Sequence, residues 1–482
     1  MIRLVERGLG PGRRCSEGIR HVANVNICNF GTDGNVYTSN LAMEGAGNMR
    51  IQASKAAAAA VMGAAALAIL LPRAARAASG SRAGSQALDV TQLVQVALEV
   101  NPQVRAARAR WESAEHSIKQ AYAPNDPQLS YTNGDSAGNG FNRTSFNTLL
   151  VSEAFQFPGK ALLQGTQARR AAEIARLTYQ ATVRDTRAAV ETVYYQLVLD
   201  SALADVNAEN VRDLEQVLKV TQVAYSTNQV TQTDFVSAEF DLAAARQLQL
   251  QYKTNIENDE TALNQLLSRP PGAPLDFERT LNFEALKIPL DTLIDRAEGL
   301  RQEILEASLT ERNSDNALQL AKMEYLPDFT VSYFFDHYLL ASAAPAPNLT
   351  QDHSWVIAAN MPIFFWLKQN EDVARARTNL EASRYDLVSV KNQTAATVTS
   401  LYRSAQYGYQ TAILYRQSLI PLANEDFEVA LTAYQSGKIP FVALAAALRR
   451  GYDARVSYLQ SANQFVANRV ALEQAVGAPL GQ

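Results

Sequence analysis

Carboxylates and a few histidines are the groups in this 482-residue chain that could carry chemistry. Asp336-His337 and Asp352-His353 repeat an acid–imidazole pair, and carboxylate with imidazole is a donor set that suits a divalent cation. They fall in a polar segment where such residues are ordinarily solvated, so the sequence predicts no metal site. Asp185, Glu191, Asp200 and Asp205 sit on polar helix faces and read as solvated charge. Acid–base catalysis needs a nucleophile or metal held by partners at fixed spacing, and no G-x-S-x-G elbow, H-E-x-x-H helix or Walker-type loop occurs. The residues therefore predict neither an enzyme nor a cofactor.

The elements around these groups repeat. Ala224-Tyr225 recurs as Ala433-Tyr434, Ala245-Arg246 as Ala454-Arg455, and Ala262-Leu263 as Ala471-Leu472, all at a shift of 209 positions. Each copy closes on Gly-Ala-Pro-Leu, at Gly272 and at Gly477, and the starts pair Ala97 with Ala297 and Pro127 with Pro327. An internal duplication of this size makes the repeat the unit of fold and function. The copies are expected at 78–276 and 277–482.

Upstream, Met49-Arg50 and Lys55 precede an apolar run, Ala56 to Leu71, and a small-x-small pattern, Ala75-Arg76-Ala77, the outline of a secretory signal over 49–77. Sixteen apolar residues are short against the ~20 that span a bilayer, so export is expected rather than a helical anchor. Residues 1–48 then read as an extension from a misassigned start. Both cysteines, Cys15 and Cys28, precede the cleavage site, which leaves the mature chain no disulfide, thiolate metal site or lipid-bearing cysteine. Without residues 1–77 the chain keeps 35 basic against 44 acidic residues, a balance that disfavours nucleic acid.

Proline and glycine spacing predicts very long helices, one of them from Lys160 to Asn228, roughly 100 Å at 1.5 Å per residue. Ala97, Val100, Val104, Ala107, Trp111, Ala114, Ile118 and Ala121 step by three and four, and Phe235, Ala238, Leu242, Ala245, Tyr252, Ile256, Leu263 and Leu266 keep the same beat with Gln249 and Asp259 interrupting it. Such narrow seams are coiled-coil-like, and their alanines allow close approach. Four segments alternate with strand period instead, at about 127–134, 146–157, 328–336 and 354–363, with Glu153 out of pattern. Aromatic-rich strands in an exported chain suggest an outer-membrane barrel. Four strands cannot close one, so copies of the chain must pool theirs.

Phe157-Pro158-Gly159-Lys160 opening the long helix, Tyr325-Leu326-Pro327-Asp328-Phe329 entering the second strand pair, and Ala433-Tyr434-x-x-Gly437 at the second hairpin are similar to the TolC-like outer-membrane efflux factors. The resemblance covers residues 88–480. It implies a mainly α protein with a small β part, two tandem repeats, and a homotrimer whose four strands per chain complete a 12-stranded barrel in outer-membrane lipid. It also implies a long periplasmic helical tunnel, which the acidic helix faces would line, and export driven by an inner-membrane pump of the resistance-nodulation-division type through a periplasmic adaptor, a membrane fusion protein. The first two motifs look most like the heavy-metal branch, with drugs, organic solutes or type I secretion as alternative cargo. A soluble periplasmic coiled-coil adaptor would need one hairpin, and this chain has two.

In that family the hairpin tips dock the adaptor, which here implicates Asn228, Gln229, Val230 and Thr231 in the first copy and Gly437, Lys438 and Ile439 in the second. Asn228 and Gly437 share a repeat position and are residues that tolerate a left-handed backbone. Gate residues are expected at Tyr225, Asp234 and Tyr434. Well-known members narrow the tunnel with aspartates after the second tip, whereas Lys438 to Leu444 carries none. Either Asp234 supplies an acidic ring or apolar and hydrogen-bonded contacts close the gate.

Overall fold

Asp89 opens the first helix with a capping box, its side chain accepting from the backbone while Gln92 reaches back to the Asp89 N–H. The computed structural model describes residues 89–137, 143–279, 283–340 and 348–480, so the upstream extension, the signal segment and both cysteines lie outside the described residues. The first copy runs α1 (Val90–Val100), α2 (Pro102–Tyr122), β1 (Gln128–Ala137), β2 (Arg143–Phe155), α3 (Lys160–Ser226) and α4 (Gln232–Leu266). The second repeats it as α5 (Leu290–Leu300), α6 (Gln302–Met323), β3 (Asp328–Leu340), β4 (Asn348–Asn360), α7 (Gln369–Leu414), α8 (Ile420–Gln435) and α9 (Phe441–Val476).

The seam expected to run unbroken from Ala97 to Ala121 is divided between two helices. Asn101 ends α1 in extended backbone and caps α2 by accepting from Gln103 N–H at 2.8 Å, with Pro102 in the first turn, where its missing N–H costs nothing. Either side of that joint the seam holds, with Ala97, Val104 and Ala107 buried. The seam of α4 holds as well, Ala238, Leu242, Ala245 and Leu263 all being buried.

Helix α3 has 67 residues, and at the 209-position shift it maps onto Gln369–Gln435. That second long helix is not continuous. A π-helical turn, Tyr415–Leu419, separates α7 from α8. Pro421 follows it, and a proline there offers no N–H to the carbonyl of Gln417 and crowds it, so the turn widens. The same repeat position in α3 is Arg212, and α3 passes through it unbroken. Toward the tips α4 lies on α3, α3 on α9, and α9 on α8, while toward the strands α2 lies on α3, α3 on α6, and α6 on α7. Ala405 and Ala412 are fully buried around Gly408, where an added Cβ would stand 3.1 Å from the backbone N of Phe465 on α9. Small residues set this spacing, as the alanine seams predict.

Helices α4 and α9 end at the same repeat position, Ser268 and Gly477, both with positive φ of 54° and 86°. The Gly-Ala-Pro-Leu pairing would set Gly272 against Gly477. The fold sets Ser268 there, because the first copy carries extra residues between its turn and that tetrapeptide.

The four strands form one antiparallel sheet in the order β1-β2-β3-β4. They are longer than expected on the hairpin side, and they stop short of Phe157 and Ile363 at the helix side, since Met361–Lys368 turns toward α7. Much of the supposed polar loops, including Asp336, His337, Asp352 and His353, is strand, because continuous ladder pairing outweighs the polar side chains.

Candidate functional site: sheet faces, junction and hairpin tips

Register sorts the strand residues onto two faces. Leu129 faces Val151, Val151 faces Tyr333 and Tyr333 faces Trp355, and the flanking rows on that face carry Tyr131, Leu149, Phe335, Val331 and Ile357. Leu129, Tyr131, Tyr333, Trp355 and Ile357 are exposed, an apolar surface that water would penalise and lipid would not. Glu153 sits on this face opposite Val331, one row from the end of the sheet. The other face carries Ser130, Thr132, Thr148, Ser332, Asp336, Asp352 and Ser354, interspersed with Leu150, Phe334 and Val356, and is the more polar of the two.

This alternation separates the two Asp-His pairs. Asp336 lies opposite Asp352 on the polar face and accepts from Thr148 Oγ1 at 2.6 Å. His353 lies on the apolar face, its Nδ1 3.1 Å from the Tyr333 hydroxyl and its ring 4.9 Å from that of Phe335. Among the described residues no group of three or more His, Cys, Asp or Glu is placed to hold a metal.

At the junction of sheet and helices the two sequence motifs meet. Lys160, first residue of α3, is 2% exposed, and its ammonium reaches Asp328 Oδ1 at 2.9 Å, Glu324 Oε2 at 3.6 Å and the Leu326 carbonyl at 3.3 Å. Asp328 Oδ1 also accepts the Phe157 N–H at 2.8 Å. Gly159 reaches this corner with φ 104°, a value that L side chains rarely adopt. One charge cluster thus ties the start of α3 in the first repeat to the start of β3 in the second. Sequence reasoning named both motifs and missed their contact, since a lysine 168 positions from its aspartate gives no local signal.

The tips adopt the turn that their residues predict. Asn228 and Gly437 have φ of 55° and 70°. In the first tip Asn228 N–H donates to Tyr225 O and Gln229 N–H to Ala224 O; in the second Gly437 N–H donates to Tyr434 O and Lys438 N–H to Ala433 O. That pair of bonds is the Schellman arrangement, which satisfies the last carbonyls of each helix. Thr231 and Asp234 then start α4 with a reciprocal capping box, the Asp234 carboxylate accepting from Thr231 N–H at 3.1 Å and Thr231 Oγ1 at 2.9 Å.

Gln229, Val230 and Thr231 share one cleft of about 780 Å³ with Gly437, Lys438 and Ile439, and Asp234 and Tyr434 also line it. Asn228 and Tyr225 do not. Tyr225 is 41% exposed and stacks on Phe235, whereas Tyr434 is 7% exposed, packs against Phe441 and brings its hydroxyl to 3.4 Å from Thr221 Oγ1. The repeat equivalents therefore differ in environment, one at the surface and one in a core.

Residues 93–269 and 293–478 match the family model described as outer membrane efflux protein. The chain is 26% identical over 434 residues to the outer membrane protein TolC of Escherichia coli strain K12, an alignment covering 83% of this chain and 84% of that protein. Among solved structures, CusC superposes with a TM-score of 0.70 at 17% identity, covering 81% of this chain and 92% of that one. The VceC outer membrane protein of Vibrio cholerae gives 0.67 at 17% identity, covering 81% and 96%. The CmeC outer membrane channel of Campylobacter jejuni gives 0.67 at 15%, covering 82% and 87%. At such identities the structural likeness speaks for the fold, and the family match carries the function. The chain belongs to the outer membrane efflux protein family: it is a TolC-like efflux channel of the outer membrane with a large periplasmic helical part, and not an enzyme.

Proposed function

We propose that three copies of this chain form a passive exit duct for heavy-metal cations, docked at its hairpin tips to a periplasmic adaptor and served by an inner-membrane pump of the resistance-nodulation-division type. The observation that carries the trimer is the open sheet, in which, among the described residues, β1 and β4 each leave one edge unpaired while one face is apolar. Lipid offers no partner for an unpaired edge, so strands from other copies must supply it, and three sets of four close a 12-stranded barrel. The tip cleft is lined by apolar Val230, Ile439 and Phe441 beside polar Gln229, Thr231 and Lys438, a mixed surface suited to a partner's amphipathic helical hairpin.

Contacts around the proposed gate favour closure without an acidic ring. The Asp234 carboxylate is engaged by Thr231, and Tyr434 is buried against Phe441 close to Thr221. The metal cargo rests on the Pro-Gly-Lys and Tyr-Leu-Pro-Asp-Phe motifs, whose charged members form the junction cluster. Deleting the gene is expected to raise sensitivity to copper, silver, zinc, cobalt or cadmium more than to lipophilic antibiotics, as measured by growth inhibition. The opposite ranking would assign the duct to drugs or organic solutes.

A further inference from the structure

Asp259 interrupts the apolar seam of α4, and Asp200 on α3, the helix packed against it, lies within hydrogen-bonding reach of it. Asp200 is 5% exposed, which overturns the expectation that it is solvated charge, and its Oδ2 accepts from Gln196 Nε2 at 3.1 Å. Asp259 Oδ2 is buried too, and no N–H or hydroxyl donor reaches it. Two carboxyls within hydrogen-bonding reach across a seam of packed helices are both satisfied when one proton is held between them.

We propose that one proton shared by Asp200 and Asp259 fastens α4 to α3, and that its loss to solvent as the periplasm rises from acidic toward neutral pH loosens this joint of the α3–α4 hairpin. Protonated, one carboxyl donates its O–H to the other and the buried oxygens are paired. Deprotonated, the proton leaves with water and two negative charges oppose each other across the seam.

Among the described residues no cation acts on Asp259. Gln196 is neutral, and Glu191 and Asp205 on α3 and Glu260 on α4 are acidic. Lys253 lies 3.9 Å from Glu257 on α4. On α9, which packs against α3, Arg455 binds Glu209 and Arg469 lies 4.0 Å from Glu473, while α1 brings Asp89. Among the described residues, Asp200 is the one charged group that acts on Asp259. Burial first, then the hydrogen bond and charge of Asp200, push the Asp259 carboxyl up from 3.8 to about 7.

A carboxyl that stays protonated to about pH 7 when the joint is closed, but only to about pH 4 when it opens to water, binds more protons closed than open between those values. The closed joint therefore weakens as pH rises through that window and changes little above it. Full linkage corresponds to about a tenfold rise in opening per pH unit.

Hydrogen–deuterium exchange on the purified full chain in detergent reads this directly, with rates corrected for intrinsic exchange. Protection of Thr254–Asn264 should fall about tenfold per unit from pH 5 toward pH 7 and level off above. Asp259→Asn supplies an amide donor without a titrating proton and should hold protection constant to within about twofold. Asp200→Asn should flatten the profile in the same way, which guards against a folding defect in either variant. A flat wild-type profile, the wild-type slope retained in both variants, or an equal slope in the facing segment of α9 would overturn the proposal.

Discussion

Asp328→Ala should lower the temperature at which the assembled channel dissociates far more than Lys160→Met does, although the two changes break the same ion pair. Lys160 is 2% exposed, so removing Asp328 leaves a buried ammonium with the neutral Leu326 carbonyl at 3.3 Å and a more distant Glu324 at 3.6 Å, and it also orphans the Phe157 N–H. Breaking a half-buried pair so that its buried member is stranded costs more than the about 1 kcal/mol of an exposed pair and less than the about 3 to 5 kcal/mol of a fully buried one. Lys160→Met removes the buried charge and fills its volume with an apolar chain. The Asp328 side chain left behind is 38% exposed, can be hydrated, and keeps the Phe157 N–H. That change should cost no more than about 1 kcal/mol. Thermal dissociation followed on unboiled gels measures the ranking. Equal losses would mean that the cluster acts by packing and not by charge compensation.

Gly437→Val should abolish adaptor coupling while leaving the channel assembled. Gly437 has φ 70°, and an added Cβ would meet nothing within 4 Å, so the whole penalty is backbone strain. For a β-branched residue that strain is roughly 1 to 2 kcal/mol, small beside the stability of a multi-helix assembly. The Schellman bonds from Gly437 and Lys438 hold the loop that forms one wall of the tip cleft, and shifting φ breaks both. A partner that reads a few exposed residues on each tip has little other area to compensate. Crosslinking to the adaptor should drop at least about tenfold, equivalent to 1.4 kcal/mol, and efflux should fall with it. Asn228→Val, at the equivalent turn with φ 55°, should act the same way through the first hairpin. Unchanged crosslinking and efflux would show that the tips are turns and nothing more.

What the sequence made legible was whatever repeats or alternates. The 209-position shift predicts two copies of one plan, a lack of proline predicts the 67 residues of α3, and the Asn228 and Gly437 pair predicts two left-handed turns. What it hid depends on distant contacts. Pro421 is visible in the sequence, but whether a proline bends, ends or widens a helix is settled by what packs around it, here yielding a π turn. The break at Asn101 escaped because a heptad count carries through a cap without noticing it. Asp336 and His337 looked like one site because they are adjacent, and strand geometry sends neighbours to opposite faces. Asp200 looked solvated because its own helix neighbours are polar, while the partner that buries it lies on α4.

The central claim, that the open four-stranded sheet is one third of an outer-membrane barrel, is tested most directly by fractionation followed by electrophoresis with and without boiling. The protein should be found in outer-membrane fractions, require detergent to stay in solution, and migrate unboiled as a trimer that heat converts to monomer. A soluble monomer recovered from the periplasm would contradict it.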